Sequence, residues 1–291
     1  MTKRTHHIKF FIVPSLLLIT FLIYLPLIYS FILSFQTGRG NNLEFGGFSN
    51  YINLINDVIV RRTLVNSLIF TVIIVPSIIL LSIYLAYKIN KLKSEKMQNI
   101  VTTIIYIPCI TSPVAYSLFF KQVSYSDGIL SNIIRNIGFL DSNFNILQNA
   151  WSARLLIALV CVWAWTGFYT LILYIAMKNT DPSIIKAAKI DGASDLKTLR
   201  KIILPTVKPI LYLITVLITI NTFQIFVESM LITNGGPGVS TYTLIYYLYN
   251  RAFVFVPRYG YASALGVLIF VICFLLNIGI IKRGIRNEQK N

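Results

Sequence analysis

The chain has 291 residues, of which 56% are hydrophobic and only 12% are Asp, Glu, Lys or Arg. Soluble globular domains contain about a quarter charged residues, so this composition excludes an ordinary soluble domain and indicates a polytopic membrane protein. The formal net charge of +16 does not indicate nucleic-acid binding, because the basic residues are scattered between apolar segments and form no single basic face.

Apolar segments long enough to cross a bilayer recur along the whole chain. A spanning helix needs about 20 mostly apolar residues, and open strand edges are not stable in lipid, so these segments predict an all-α fold. The first segment is too long for the core of a signal peptide, and we interpret it as a retained span. The six predicted spans cover approximately residues 10–34, 64–87, 99–120, 152–177, 209–232 and 259–281.

The distribution of Lys and Arg predicts the orientation, because cytoplasmic loops of membrane proteins are enriched in these residues. With both termini in the cytoplasm, 18 of the 26 basic residues lie on the cytoplasmic side, as does the loop over residues 178–208. The abundance of Ile, Asn and Lys favours a bacterial source. We therefore expect a multi-pass protein of a bacterial cell membrane, in contact with lipid, with cytoplasmic N- and C-termini.

Two outer loops carry signals of their own. Within residues 36–62, Gly46 and Gly47 predict a turn that leads into a short amphipathic piece. Residues 121–150 contain a second segment that is predicted to lie on the membrane surface as a small helix. These loops either cap the bundle or receive a soluble partner.

The third predicted span contains a group of residues that favours an interrupted helix. Pro108, Thr111, Ser112 and Pro113 predict a broken, hydroxyl-bearing segment, and Tyr116 lies one turn beyond Ser112. Such segments line cavities near the middle of the membrane in transporters, so Ser112 and Tyr116 are candidate residues of a substrate pathway. The alternative is a kink that the hydroxyl groups stabilise.

The fourth predicted span contains aromatic rings beside a glycine. Trp163, Trp165 and Tyr169 offer flat faces that could stack on a sugar ring, and Gly167 lets another helix approach closely. These three aromatic residues are candidates for the substrate pathway. Aromatic residues of membrane helices also serve in packing and at the membrane interface, and that alternative stays open.

The fifth predicted span contains polar residues at helical spacing. Asn221, Gln224 and Glu228 are separated by three and four positions, which predicts that they share one face of the helix. Because polar groups inside the membrane are costly, such a stripe indicates a substrate pathway. Hydrogen bonds between helices or between subunits are the structural alternative.

The polar stretch between the fourth and fifth spans is about 30 residues long, whereas helix connections usually take about 2 to 8. Its composition predicts a helix over residues 184–190, a sharp turn at Asp191 and Gly192, and a second helix that Ser194 or Asp195 can cap. A basic, amphipathic element of this length predicts a docking site for a partner. An amphipathic loop without a partner is the alternative.

At this element the chain resembles the inner-membrane permease subunits of binding-protein-dependent ATP-binding-cassette importers. Their cytoplasmic signature is Glu-Ala-Ala, three residues, Gly, and an Ile-x-Leu-Pro end. The departures are Lys186, where the family usually has Glu, and Leu199, where Phe is common. The residues that match in register are Ala187, Ala188, Asp191, Gly192, Ala193, Ser194, Ile202, Leu204 and Pro205.

The resemblance implies a coupling helix that sits in a cleft of a separate ATPase subunit. Its residues would be Lys186, Ala187, Ala188, Asp191, Gly192, Ala193, Ser194 and Pro205. The charge reversal at Lys186 leaves docking unaffected but argues against a salt bridge from this position to a basic residue of that ATPase.

A glycine-rich outer loop follows the fifth span and extends the resemblance to nearly the whole chain. Gly235, Gly236 and Pro237 demand a tight, non-helical backbone. In the resembled family this motif marks carbohydrate-type permeases similar to the larger maltose or glycerol-phosphate permease subunit, and it implies that the loop faces a binding protein. Further positions match: Thr233, Thr241, Thr243, Tyr249 and Phe253.

The implied function is that of a transport subunit and not of an enzyme. The sequence contains no phosphate-binding loop of the G-x-x-x-x-G-K-[ST] type, no Ser/His/Asp constellation and no metal motif, so ATP and Mg are expected on the partner ATPase. Residues 1–291 would form one transmembrane domain with the type I importer permease fold. The implied partners are a second homologous permease, an ATPase dimer, an extracellular solute-binding protein and a carbohydrate.

Other functions fit the sequence less well but remain open. Arg154 and Arg258, near the ends of spans, keep a phosphorylated ligand such as glycerol phosphate in consideration. A polyol importer is a further alternative. A stand-alone carrier would show an internal repeat, and none is visible. An intramembrane hydrolase would need a paired nucleophile and base or a metal site within the spans.

Overall fold

The computed structural model of the protein describes residues 12–40, 42–125, 128–136 and 145–288, and these form helices with one small hairpin. The hairpin pairs β1 (Gln36–Arg39) with β2 (Asn42–Phe45) in antiparallel register. The helices are α1 (Ile12–Leu33), α2 (Ser49–Asn56), α3 (Val58–Asn90), α4 (Glu95–Ile110), α5 (Pro113–Ser124), α6 (Ile129–Asn136), α7 (Ala150–Lys178), α8 (Pro182–Ile190), α9 (Asp195–Thr206), α10 (Lys208–Phe223), α11 (Leu244–Tyr249) and α12 (Tyr259–Glu288).

Two compact units make up the described chain. One contains the described residues up to Arg61 together with Tyr247–Val271, and the other contains the described residues of Arg62–Tyr246 and Ile272–Asn291.

The first unit is built around the hairpin and helix α2. Gly40 and Gly47 have φ of 57° and 54°, which glycine adopts without steric cost, and the predicted turn and amphipathic piece are confirmed. The side-chain amide of Asn50 donates to the carbonyl oxygens of Ser34 at 2.9 Å and Gln36 at 2.8 Å. These bonds join α2 to the chain that follows α1. The hairpin was not predicted, because its strands are only four residues long and contain little apolar alternation.

The core of the second unit lies among α3, α4, α7 and α10. Its fully buried apolar side chains include Ile74, Ile78, Ile157, Leu173 and Ile218. Helices α4 and α7 approach closely at Gly167, where a β-carbon would overlap the carbonyl oxygen of Ile105. The predicted role of Gly167 in close helix packing is therefore confirmed.

Among the described residues, four helices are long and apolar enough to cross a membrane: α1, α3, α7 and α12 as far as Lys282. Two bent pairs, α4 with the chain from Pro113 and α9 with α10, bring the total to six if each pair counts as one span. The predicted interruption of the third span is confirmed at Thr111 and Ser112, between α4 and α5. The predicted start of the first span at residue 10 and the expected cytoplasmic N-terminus lie outside the described residues.

The prediction of a continuous fifth helix over residues 209–232 is wrong. Helix α10 ends at Phe223, and the chain becomes helical again only shortly before the π-helical turn Ser229–Thr233. The break is stable because the hydroxyl of Thr243 donates to the carbonyl oxygen of Ile225 at 2.6 Å. Thr243 belongs to the loop after the span, so the sequence of the span itself does not predict the break.

Candidate functional site

We call residues 178–208 the coupling loop. Its predicted helix, turn and second helix are confirmed as local structure. Asp181 caps α8 by accepting a hydrogen bond from the backbone N–H of Ser183 at 2.8 Å, and this bond holds the pKa of Asp181 below its ordinary value. Gly192 provides the turn with φ of 74°. Ser194 caps α9 by accepting from the N–H of Lys197 at 3.4 Å.

The coupling loop presents a mixed apolar and basic surface. Leu196, Leu199 and Ile203 recur at helical spacing, which predicts one packed side for all three. Ile203 is buried and Leu199 packs against the core, but Leu196 is 63% exposed, and Ile190 is 87% exposed. Of the predicted coupling residues, Ala188 and Ala193 are half-buried, while the others are exposed: Lys186, Ala187, Asp191, Gly192, Ser194 and Pro205.

Two side-chain contacts, both to Asp195, join this loop to the end of α3. The hydroxyl of Tyr87 donates to the backbone carbonyl of Asp195 at 3.1 Å, and Lys91 forms an ion pair with the carboxylate of Asp195. The hydrogen bond to Asp195 raises the pKa of Lys91. These contacts connect the start of α9 with the end of α3, which is a candidate span.

The intramembrane candidates fall into two groups. In the first, the hydroxyl of Tyr116 donates to the carboxylate of Glu228 at 2.5 Å, and both residues are buried. The ring of Trp163 contacts Tyr116 edge to face, with ring centroids 6.1 Å apart. Ser112 lies exposed at the start of α5 and makes no capping hydrogen bond with its side chain. This group combines a carboxylate, a phenol and an indole beside two interrupted spans. Trp165 also belongs to this first group, because its side chain hydrogen-bonds to Tyr116 while it lies half-buried against the apolar core.

The second group contains Asn221 and Tyr169. The side-chain amide of Asn221 donates to the hydroxyl of Tyr169 at 2.9 Å. Gln224 follows the end of α10 and is exposed. The prediction that Asn221, Gln224 and Glu228 share one helical face is wrong, because the helix ends before Gln224.

The glycine-rich loop has the tight backbone that the sequence predicts. Asn234, Gly235 and Gly238 have φ of 51°, 77° and 61°. Gly235 is buried, whereas Gly236 and Pro237 are half-buried. The hydroxyl of Thr241 donates to the carbonyl of Gly236 at 2.8 Å, so a threonine of the motif closes the loop on itself.

Sequence reasoning missed two residues that hold this loop. The guanidinium of Arg154 donates to the carbonyl of Ser240 and to the side-chain oxygen of Asn66, both at 2.9 Å. The amide of Asn66 in turn donates to the carbonyls of Val239 at 2.6 Å and Tyr242 at 3.0 Å. Arg154 is thus engaged with the loop. The available signal was one polar residue on each of two apolar helices. Asn66 and Arg154 lie 88 positions apart in the sequence, so nothing local indicated that they pair.

A polar cluster in the first unit was also missed. Asp57 accepts hydrogen bonds from the hydroxyls of Tyr247 at 2.6 Å and Tyr261 at 2.5 Å, and from the N–H of Ile59 at 2.7 Å. Arg251 donates to the hydroxyl of Tyr247 at 2.7 Å. Partial burial raises the pKa of Asp57, but the hydrogen bonds from Tyr247, Tyr261 and the backbone of Ile59 and Val60 outweigh it and hold the pKa below its ordinary value.

No group of three or more His, Cys, Asp or Glu side chains suited to a metal ion occurs in the part of the chain that the structure describes. The three cysteines, Cys109, Cys161 and Cys273, are free thiols, and Cys161 lies buried in the core. A thiol within an apolar segment behaves as a small apolar side chain.

Comparisons with known proteins point in one direction. The sequence model of the family described as binding-protein-dependent transport system inner membrane component matches residues 60–284. The chain is 35% identical over 269 residues to the lactose transport system permease protein LacF of Rhizobium radiobacter, covering 92% of this chain and 90% of the relative. It is 28% identical over 260 residues to the arabinooligosaccharides transport system permease protein AraP of Bacillus subtilis, covering 87% and 80%.

A solved structure shares the fold. A chain of the crystal structure of a bacterial ABC transporter involved in the import of the acidic polysaccharide alginate superimposes with a TM-score of 0.84 at 20% identity. The match covers 98% of this chain and 96% of that chain. At this identity the likeness concerns the fold, which is that of an importer permease.

Proposed function

Because the chain belongs to the family of binding-protein-dependent transport system inner membrane components, we propose that it translocates a sugar or oligosaccharide as one permease subunit of an ATP-driven importer. The observation that carries this proposal is the 35% identity to a lactose permease protein over 92% of the chain. The arabinooligosaccharide relative favours the same substrate class. Solute would arrive on an extracellular binding protein.

The coupling loop supports docking to a separate ATPase. Its exposed Ile190 and Leu196 flank the turn at Gly192, and Lys186 is exposed on α8. Apolar side chains ringed by charge are typical of a protein interface. ATP binding and hydrolysis would therefore move α8 and α9, and the contacts of Asp195 with Tyr87 and Lys91 would pass that movement to α3.

The group of Tyr116, Trp163 and Glu228 is the best supported candidate for contact with sugar. A buried carboxylate accepts hydrogen bonds from hydroxyl groups, and an indole ring offers an apolar face to a sugar ring. Trp163 is 43% exposed, so its ring is accessible beside the buried pair. Alternating access would open this group first to the outer face and then to the cytoplasm.

The remaining assembly follows from the family. A second homologous permease would complete the pore, two ATPase subunits would bind the coupling helices, and the loop around Gly235, Gly236 and Pro237 would meet the binding protein. Both chain termini would lie in the cytoplasm, as the Lys and Arg distribution predicts.

A tagged-chain purification from gently solubilised membranes tests the assembly. We expect an ATPase and a second permease to co-purify with the wild type, and the ATPase to be lost with Gly192→Trp, because Gly192 combines a φ of 74° with an exposed position in the turn. Leu213→Trp, at an exposed apolar position on α10, is the control and should retain the ATPase. A wild-type chain that elutes alone would favour a stand-alone carrier.

Uptake by proteoliposomes that contain the assembled complex and its binding protein tests the substrate class. We expect ATP-dependent uptake of radiolabelled lactose or arabinooligosaccharides. Uptake of glycerol phosphate or a polyol, with no uptake of sugars, would replace the carbohydrate proposal by the importer alternative.

A further inference from the structure

A basic groove lies between helix α8 and the C-terminal ends of α3 and α7. It has a volume of about 690 Å³. We call it the lysine groove and define it by six of its lining residues: Tyr87, Lys91, Lys178, Thr180, Lys186 and Lys189. All six belong to the second unit.

The lysine groove carries an excess of positive charge. Lys91 pairs with Asp195, and Lys178 lies 3.6 Å from the carboxylate of Glu95. Lys186 and Lys189 form no ion pair among the described residues, and they lie three positions apart on α8, so both can reach one ligand. The lining residues include no acidic side chain. The carboxylate of Asp195 also interacts with Lys189 but is paired with Lys91, so an anion entering the groove meets a net attraction from Lys186 and Lys189.

Thr180 adds an observation that the charge distribution does not explain. The residue is only 4% exposed, and its hydroxyl has no hydrogen-bond partner in the described part of the chain. Buried hydroxyl groups are nearly always hydrogen-bonded, because an unbonded one keeps its full desolvation cost. Thr180 is among the residues that line the lysine groove, so a ligand oxygen bound there is a candidate acceptor for this hydroxyl.

We propose that the lysine groove is a binding site for a phosphate-bearing anion. Phosphate oxygens accept several hydrogen bonds at once, and the ammonium groups of Lys186 and Lys189 with the hydroxyl of Thr180 supply donors from two sides. The volume exceeds that of a lone phosphate, so the rest of a larger molecule also fits. The site is separate from the Tyr116 and Glu228 group and does not depend on the proposed substrate.

The phosphate has two possible sources. Because α3 and α7 are candidate membrane spans, the headgroup of an anionic phospholipid can reach their ends from the bilayer. A soluble phosphate compound can enter from the aqueous side. In either case the ligand would contact α8 and the ends of two spans together, and would bias the position of the coupling loop.

Two probes test the proposal on the full-length chain purified with its co-purifying subunits in phosphatidylcholine nanodiscs. Equilibrium dialysis measures binding of radiolabelled inorganic phosphate. Native mass spectrometry measures retention of phosphatidylglycerol after its addition to the nanodiscs. Each probe is applied to wild type, Thr180→Val, Lys189→Gln and the control Lys201→Gln, which removes one charge from an exposed lysine outside the groove lining.

We expect Lys189→Gln and Thr180→Val each to weaken binding about tenfold, the loss that one charge-assisted hydrogen bond typically produces, and Lys201→Gln to bind as the wild type does. Thr180→Ser keeps the hydroxyl and should also bind normally. Binding of inorganic phosphate identifies a soluble ligand, whereas retention of phosphatidylglycerol alone identifies a lipid headgroup.

The proposal is overturned if the wild type binds neither probe, or if Lys201→Gln weakens binding as much as Lys189→Gln does. Should Thr180→Val fail to assemble, the comparison between the two exposed lysines decides the question, since neither substitution touches the core. If the wild-type complex takes up no sugar, the proposed substrate class is refuted, but the result of the phosphate-binding experiment is unchanged.

Discussion

Tyr116 donates a hydrogen bond of 2.5 Å to Glu228, and the pair joins two spans that are each interrupted nearby. Tyr116 lies one turn after the break between α4 and α5. Glu228 lies shortly after the end of α10 at Phe223. A buried carboxylate with one strong donor is costly to leave unpaired, so the two interrupted segments are held together at this point.

Removing the donor should therefore destabilise the protein. We expect Tyr116→Phe to lower the free energy of unfolding by about 1–3 kcal/mol, because the buried oxygen of Glu228 loses its hydrogen bond. Thermal unfolding in detergent measures the effect. Tyr84→Phe is the control, since Tyr84 is exposed and its contact with Lys88 needs only the ring. Equal stability of Tyr116→Phe and wild type would show that the pair contributes nothing.

The second prediction concerns the hydrogen bonds by which Arg154 fixes the glycine-rich loop. We expect Arg154→Lys to destabilise the loop, because a single ammonium group does not reproduce the fork that reaches both Ser240 and Asn66. The free energy of unfolding should fall by about 1–3 kcal/mol. Stimulation of the importer by its binding protein should weaken as well.

A double-mutant cycle makes the contact specific. Asn66→Ala and Arg154→Ala should show a coupling of about 0.5–3 kcal/mol in thermal unfolding, because each removes the partner of the other. Additive effects of the two substitutions would contradict a direct role for this hydrogen bond.

Substitution of glycine by alanine should have opposite effects on stability at two helical positions, Gly167 and Gly279. Gly167→Ala should destabilise the protein by about 1–3 kcal/mol, because the added methyl group meets the backbone carbonyl of Ile105. Gly279→Ala is the matched control, since a β-carbon there contacts no other group within 4 Å. Alanine at position 279 should be neutral or stabilising by up to about 1 kcal/mol. Thermal unfolding of both variants at one protein concentration is the measurement.

Asp57 predicts a defined dependence of stability on pH. Its pKa is lower in the folded protein than the ordinary value of about 3.9, so its contribution to stability is complete above that value and is lost as the pH falls through the folded pKa. We expect Asp57→Asn to lower the unfolding temperature most at pH 6, with the difference from wild type shrinking below about pH 4. Tyr247→Phe removes one of the hydrogen bonds and should give an intermediate profile.

How far sequence reasoning reached is visible in particular residues. The cap at Ser194, the turn at Gly192 and the break around Ser112 follow from local rules, because capping, positive φ and proline each depend on neighbours in the chain. The end of α10 at Phe223 and the engagement of Arg154 depend on partners far away in sequence. No local pattern encodes such partners, and this is why the polar stripe of the fifth span was misplaced.

The hydrogen bonds of the glycine-rich loop have a mechanical consequence. The hydroxyl of Ser229 donates to the carbonyl of Thr241 at 2.5 Å, and that of Thr243 donates to Ile225 at 2.6 Å, so the loop is fastened on both sides of Glu228. Pulling residues 241–243 away therefore strains the backbone on either side of that carboxylate. A displacement of the glycine-rich loop is therefore transmitted to the interrupted segment between Ile225 and Ser229, where the chain can bend.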